Sequence, residues 1–167
     1  NHSFCHDVSF HKLSPESLVS ELSRTEALIE SVSGSRPVGF RGPSFQMTDQ
    51  LIDTLIERGY QYDSFSYPTS IGPIARAYHL RRSSLSQSGK QEQQHLFGSF
   101  SDTFSTLDPY RIKKESGEIY EVPVTTMPIL RLPIHFTYVN YIADQSPMLA
   151  TRYVDLALHL FKITHTH

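Results

Sequence analysis

Three stretches of the chain repeat their apolar residues at helical spacing, each bounded by residues that start or stop helices. In the first, Leu18, Leu22, Ile29 and Val32 keep to one face, with Thr25 inside the stripe. Ser14-Pro15-Glu16 stands ahead as N-cap, first-turn proline and an early carboxylate favoured by the helix dipole, and Gly34 ends the pattern. The second stretch carries Leu51, Ile52, Leu55 and Ile56 between a Thr48-Asp49 cap and a closing Gly59. In the third, Ser146-Pro147 introduces Leu149, Tyr153, Leu156, Leu160 and Ile163 at 4-3-4-3 spacing.

Short runs of strand length lie between the helical patterns. Residues 36–41 lead into a Gly42-Pro43 turn, and Tyr60-Gln61-Tyr62 is an extended segment ending on Asp63. Residues 119–124 alternate as a strand, with Pro123 favouring an edge or a bulge. Helix, strand, helix, strand with short links predicts βα units and a parallel sheet, an α/β fold. The pattern breaks over residues 70–118, read as an insertion. There a polar stretch rich in Ser and Gln, residues 83–94, precedes Phe97, Phe100 and Phe104. Residues 127–143 are aromatic and apolar, expected as core rather than as a groove, with His135 as a structural histidine.

Composition narrows the functional classes. A chain of 167 residues is one domain's worth, long enough for a real core. Fifteen Lys+Arg against 17 Asp+Glu leave no basic stripe, so nothing points to nucleic acid. The single Cys5 excludes an intramolecular disulfide. No apolar run approaches the ~20 residues of a membrane span. With neither an initiator Met nor a signal-like segment, the chain is expected to be cut from something longer.

The candidate chemistry begins at the first residues. His2 and His6 stand four apart around Ser3, and on a helical or tightly turned backbone two such imidazoles can point at one ion. A catalytic site needs a third protein ligand, and Asp7 and His11 are the nearby candidates. Arg41 and Asp63 end predicted strands, where functional residues gather in parallel α/β sheets. Equally, Arg41 suits a surface ion pair and Asp63 a cap on the Ser64-Phe65-Ser66 turn. His165 and His167 alternate as strand ligands would. No internal repeat or cofactor glycine motif is present, and Gly39-x-x-Gly42 carries no information.

Three motifs together carry a resemblance. His2-Ser3-Phe4-Cys5-His6 resembles the second motif, H-[ST]-x-x-H, of the polysaccharide deacetylase (NodB-homology) family of carbohydrate esterases. Arg41-Gly42-Pro43-Ser44-Phe45 resembles its third, an Arg followed by Pro and an aromatic. Tyr62-Asp63-Ser64-Phe65-Ser66-Tyr67-Pro68 resembles its Tyr-Asp-Ser turn. Their order and intervals agree with the family, and the similarity covers roughly residues 1 to 70.

The resemblance implies part of a distorted (β/α) barrel and metal-dependent removal of N-acetyl groups from a sugar polymer or glycoconjugate. It implies a divalent ion, typically zinc, with His2 and His6 as ligands. The ion would polarise the amide carbonyl and activate water, a carboxylate would take the water's proton, and a histidine would protonate the leaving amine. Arg41 would orient the catalytic aspartate, Pro43 and Phe45 would wall the sugar groove, and Asp63 is expected on the substrate side. The implied partner is a carbohydrate substrate, and the implied source is bacterial.

Several features depart from the family. Its first motif, a Thr-Phe-Asp-Asp run supplying the base and a carboxylate ligand, would precede residue 1. Its last, an apolar strand ending in His, is only approached by residues 163–167. Phe45 stands where Tyr or Trp is common, with Ser44 before it. The expectation is an incomplete deacetylase domain that is inactive and binds metal weakly in isolation. Two further classes are a catalytically inactive carbohydrate-binding relative and a deformylase or deacetylase of a lipid-linked sugar.

Overall fold

The computed structural model describes residues 1–7, 9–43, 47–70 and 105–164. The chain divides into two compact units, Asn1–Ser66 with Asp108–Pro123, and Tyr67–Leu107 with Val124–His167.

In the first unit the predicted helices form where their caps place them. Helix α1 (Pro15–Ser33) begins on Ser14, whose Oγ accepts the Ser17 N–H at 3.3 Å. Its inward face is not the one the apolar spacing suggests. Leu18 and Leu22 are buried as expected, but the next buried position is Glu26, and Val32 is 89% exposed. The helix outruns the core it packs on, and the slot one turn beyond Leu22 is filled by a carboxylate with partners of its own. Helix α2 (Asp49–Glu57) starts on Thr48, which caps the Leu51 N–H at 3.2 Å, and buries Leu51, Ile52 and Leu55.

Four strands form one sheet: β1 (Gly39–Phe40), β2 (Tyr62–Asp63), β3 (Tyr110–Lys114) and β4 (Gly117–Glu121), in the order β1-β2-β4-β3. β1, β2 and β4 are parallel, while β3 and β4 make an antiparallel hairpin, so the sheet is mixed. Of the segment read as an insertion, residues 71–104 lie outside the described residues and Tyr110–Lys114 pair within this sheet. The strand expected at 119–124 sits between two neighbours, and Pro123 falls past its end, where its missing N–H costs no ladder bond. Beside β1, Asn1 extends the sheet by one residue. Its amine donates to Gly39 O at 2.9 Å, and Arg41 N donates to Asn1 O at 3.0 Å, the bond pattern of a parallel bridge.

The core gathers around Phe40. Its ring lies 5.5 Å from Phe10, 5.7 Å from Phe65 and 6.1 Å from Tyr60, distances at which aromatic pairs add to plain burial.

The second unit contains helices α3 (Phe136–Gln145) and α4 (Pro147–Thr164), packed on each other and joined at Ser146. The buried residues of α4 are Ala150 and Ala157, whereas Leu149, Leu156 and Ile163 are 41% exposed or more. The inward face therefore lies one position from the large apolar residues. Small alanines allow close helix approach, which spacing of large residues cannot reveal. The expectation of core for residues 127–143 holds at Met127 but not at Phe136 and Tyr141, which are 75% and 68% exposed.

Candidate functional site

The parallel strands of the first unit end together, and their ends assemble the site. His2 follows the residue bridged to β1, Arg41 follows β1, Asp63 ends β2 and Glu121 ends β4. Asn1 anchors the first of these: its Nδ2 donates to Tyr60 Oη at 2.6 Å and Leu22 O at 3.1 Å, and its Oδ1 accepts the Ser3 N–H at 3.0 Å.

His2 Nδ1 lies 2.5 Å from Arg41 O. A carbonyl only accepts, so Nδ1 carries the ring proton and Nε2 presents its lone pair. The His6 ring stands edge-on to His2 with centroids 4.8 Å apart. Of the two backbone forms expected for this spacing, the loop takes the tight turn: Ser3 and His6 have φ of 59° and 54°. The His6 N–H donates to Ser3 Oγ at 3.1 Å, while Glu21 Oε2 accepts the N–H of Phe4 at 3.0 Å and of Cys5 at 2.8 Å. The Cys5 thiol is pushed up by its hydrogen bond to Glu21 and by that carboxylate's charge, which disfavours the thiolate a metal would require.

Two exposed imidazoles with one tautomer fixed by a carbonyl suit two positions of a tetrahedral site. Among the described residues no group of three His, Cys, Asp or Glu side chains is placed to hold an ion. Asp7 Oδ1 instead accepts the Ser9 N–H at 2.7 Å, and His11 lies on the 3-10 turn Phe10–Lys12. His165 and His167 lie outside the described residues.

The Arg41 guanidinium donates to Ser64 Oγ at 2.7 Å, and the Ser64 hydroxyl in turn donates to Val122 O at 2.6 Å. Next to Ser64, Asp63 is wholly buried and its carboxyl meets the equally buried Glu121. The Ser64–Ser66 turn is capped by Glu121, which accepts the N–H of Phe65 at 3.1 Å and of Ser66 at 2.9 Å. Sequence reasoning offered Asp63 as that cap in one of its two readings and missed Glu121. The alternation of residues 119–124 held the information, since it puts Glu121 on the face of buried Ile119. Pro43 is half-buried beyond β1, and Phe45 lies outside the described residues.

A peptidoglycan deacetylase-like protein of Gibberella zeae is 35% identical to this chain over 80 residues, 47% of the chain. Over those residues the chain is similar to a deacetylase-like protein. It spans 22% of the length of that fungal relative. A solved structure titled as a polysaccharide deacetylase of Mycobacterium smegmatis shares 22% identity at a TM-score of 0.48, over 75% of this chain and 30% of that one. No family model matches the chain. No helix among the described residues is long and apolar enough to cross a membrane.

Proposed function

We propose that this protein is a metal-dependent hydrolase that removes N-acetyl groups from a polysaccharide or glycoconjugate, cleaving a carbon–nitrogen bond outside a peptide. The observation that carries the reading is the His2 and His6 pair at the carboxyl edge of the sheet, with Nε2 of His2 freed by the bond to Arg41 O. The deacetylase-like name of the fungal relative supports it.

In this reading His2 and His6 hold a divalent ion, zinc by the preference of imidazole donors. When bound, such an ion supplies Lewis acidity and an acidified water. Arg41, its guanidinium held by Ser64, orients the catalytic carboxylate. Pro43 walls the sugar groove, and Asp63 supports the substrate side from behind the turn held by Glu121. In the same reading the parallel strands β1, β2 and β4 would form part of a distorted (β/α) barrel.

The test is release of acetate from N-acetylglucosamine oligomers by the full-length gene product, before and after chelation and with zinc restored. Release that is lost on chelation, and lost in His2→Ala and His6→Ala, is the expected result. Sugar binding without turnover would replace this reading with an inactive carbohydrate-binding relative. Release of formate from a lipid-linked formylated sugar alone would replace it with a deformylase.

A further inference from the structure

The loop that carries both histidines holds an unfavourable backbone. Ser3 and His6 both sit at left-handed φ although neither is glycine, which such residues sustain only where their surroundings enforce it. The enforcing group comes from α1. Glu21 Oε2 receives the N–H groups of Phe4 and Cys5 at 3.0 and 2.8 Å, two of the three residues between the histidines. Successive N–H groups converging on one oxygen form a small anion cradle. Three positions along the same helix, the Arg24 guanidinium lies 3.6 Å over the Phe4 ring and presses the same loop onto α1.

We propose that Glu21 is a positioning residue for the metal site: by closing the Phe4–Cys5 turn onto α1 it sets the His2 and His6 rings side by side before any ion arrives. The inference rests on the metal-binding reading above. A site whose ligands are ordered in advance loses less freedom on binding, so its affinity depends on the group that orders them. Oxygen acceptance at the cradle, more than charge, is what the loop requires. Glu21→Gln preserves it and Glu21→Ala removes it.

Zinc alone is titrated calorimetrically into the full-length gene product and both variants, with amide exchange at Phe4 and Cys5 followed by NMR on the same samples. Glu21→Ala should weaken zinc binding by about 10- to 100-fold and speed exchange at both amides, and Glu21→Gln should recover most of each. Unchanged zinc affinity in Glu21→Ala beside faster exchange overturns the proposal, because the rings would then not depend on the cradle. Should the wild type take up no zinc, the metal reading fails and the ring nitrogens decide. A His2 Nδ1–H fixed in the wild type and lost in Glu21→Ala supports the positioning role, and one that does not change overturns it. Glu21→Asp, which withdraws the oxygen by one methylene, gives the same comparison if the alanine variant does not fold.

Discussion

Asp63 and Glu121 are register partners across the parallel strands β2 and β4, and both side chains are fully buried. Burial first, then the hydrogen bond and charge of Glu121, push the Asp63 carboxyl up to about 9. Two acidic groups this close cannot both ionise out of water, and Glu121 is committed to the N–H groups of Phe65 and Ser66. Burial and the neighbouring Glu121 thus drive Asp63 toward its protonated form.

That proton ties stability to pH. The unfolded chain releases it near the ordinary value of 3.8 while the folded chain keeps it to about 9, so the folded state binds more protons in between. Stability from this group is complete below the lower value and declines as pH rises through the window, at up to about 1.4 kcal/mol per pH unit. Glu26, held below its ordinary 4.5, contributes the opposite slope only at more acid pH. Asp63→Asn keeps a donor toward Glu121 and has no proton to lose. Urea midpoints measured between about pH 5 and 8 should fall with pH in the wild type and stay flat in Asp63→Asn; a flat wild-type curve would contradict the protonated Asp63.

The histidine pair makes a separate prediction, because the bond from His2 goes to the backbone carbonyl of Arg41 and not to its side chain. His2→Ala and His6→Ala should each reduce zinc affinity at least about 100-fold. Arg41→Ala keeps the carbonyl, so it should bind zinc within about threefold of wild type while deacetylation by the full-length product falls by two or more orders of magnitude. Loss of zinc binding in Arg41→Ala would show that the guanidinium, and not the peptide, holds the pair.

Much of this architecture is legible in local chemistry. The Ser14 and Thr48 caps start their helices where an oxygen can accept an N–H two or three residues on, a short-range fact that needs no tertiary context. The strand ends at Arg41 and Asp63 follow from apolar runs meeting turn residues. What escapes is decided by contacts distant in sequence. Glu26 is buried because Arg58 and Tyr60 reach it from more than 30 residues away. Glu21 meets the histidine loop 16 residues back, so its spacing on α1 carries no trace of the role. Helix α4 buries Ala150 and Ala157, residues that hydrophobic patterning weighs less than the leucines beside them.

Gly117 closes the β3–β4 hairpin at φ 137°, in the region that favours glycine, and a Cβ there would stand 2.9 Å from Ile56 Cγ2. Gly117→Ala therefore adds backbone strain to a contact with a partly buried core residue, and about 1–3 kcal/mol of stability should be lost. Thermal or urea unfolding measures it. A neutral substitution would mean that the hairpin relaxes to a different turn.

Glu26 is a buried polar joint of the first unit, 4% exposed and accepting from Arg58 Nε at 2.9 Å, Arg36 at 2.7 Å and Tyr60 Oη at 3.0 Å. Burial opposes its ionisation, yet these donors together hold its carboxyl below the ordinary value. Tyr60 passes the connection on to Asn1, the residue that fixes the entry of the histidine loop. Glu26→Ala strands Arg58 and the Tyr60 hydroxyl without their acceptor, and about 3 kcal/mol should be lost. Arg36→Ala removes a partner whose side chain is 54% exposed, and less than about 1 kcal/mol should follow. Urea denaturation of the two variants separates these values. Equal losses would place the energy in the exposed ion pair, and a large loss confined to Glu26→Ala places it in the buried cluster beneath Asn1.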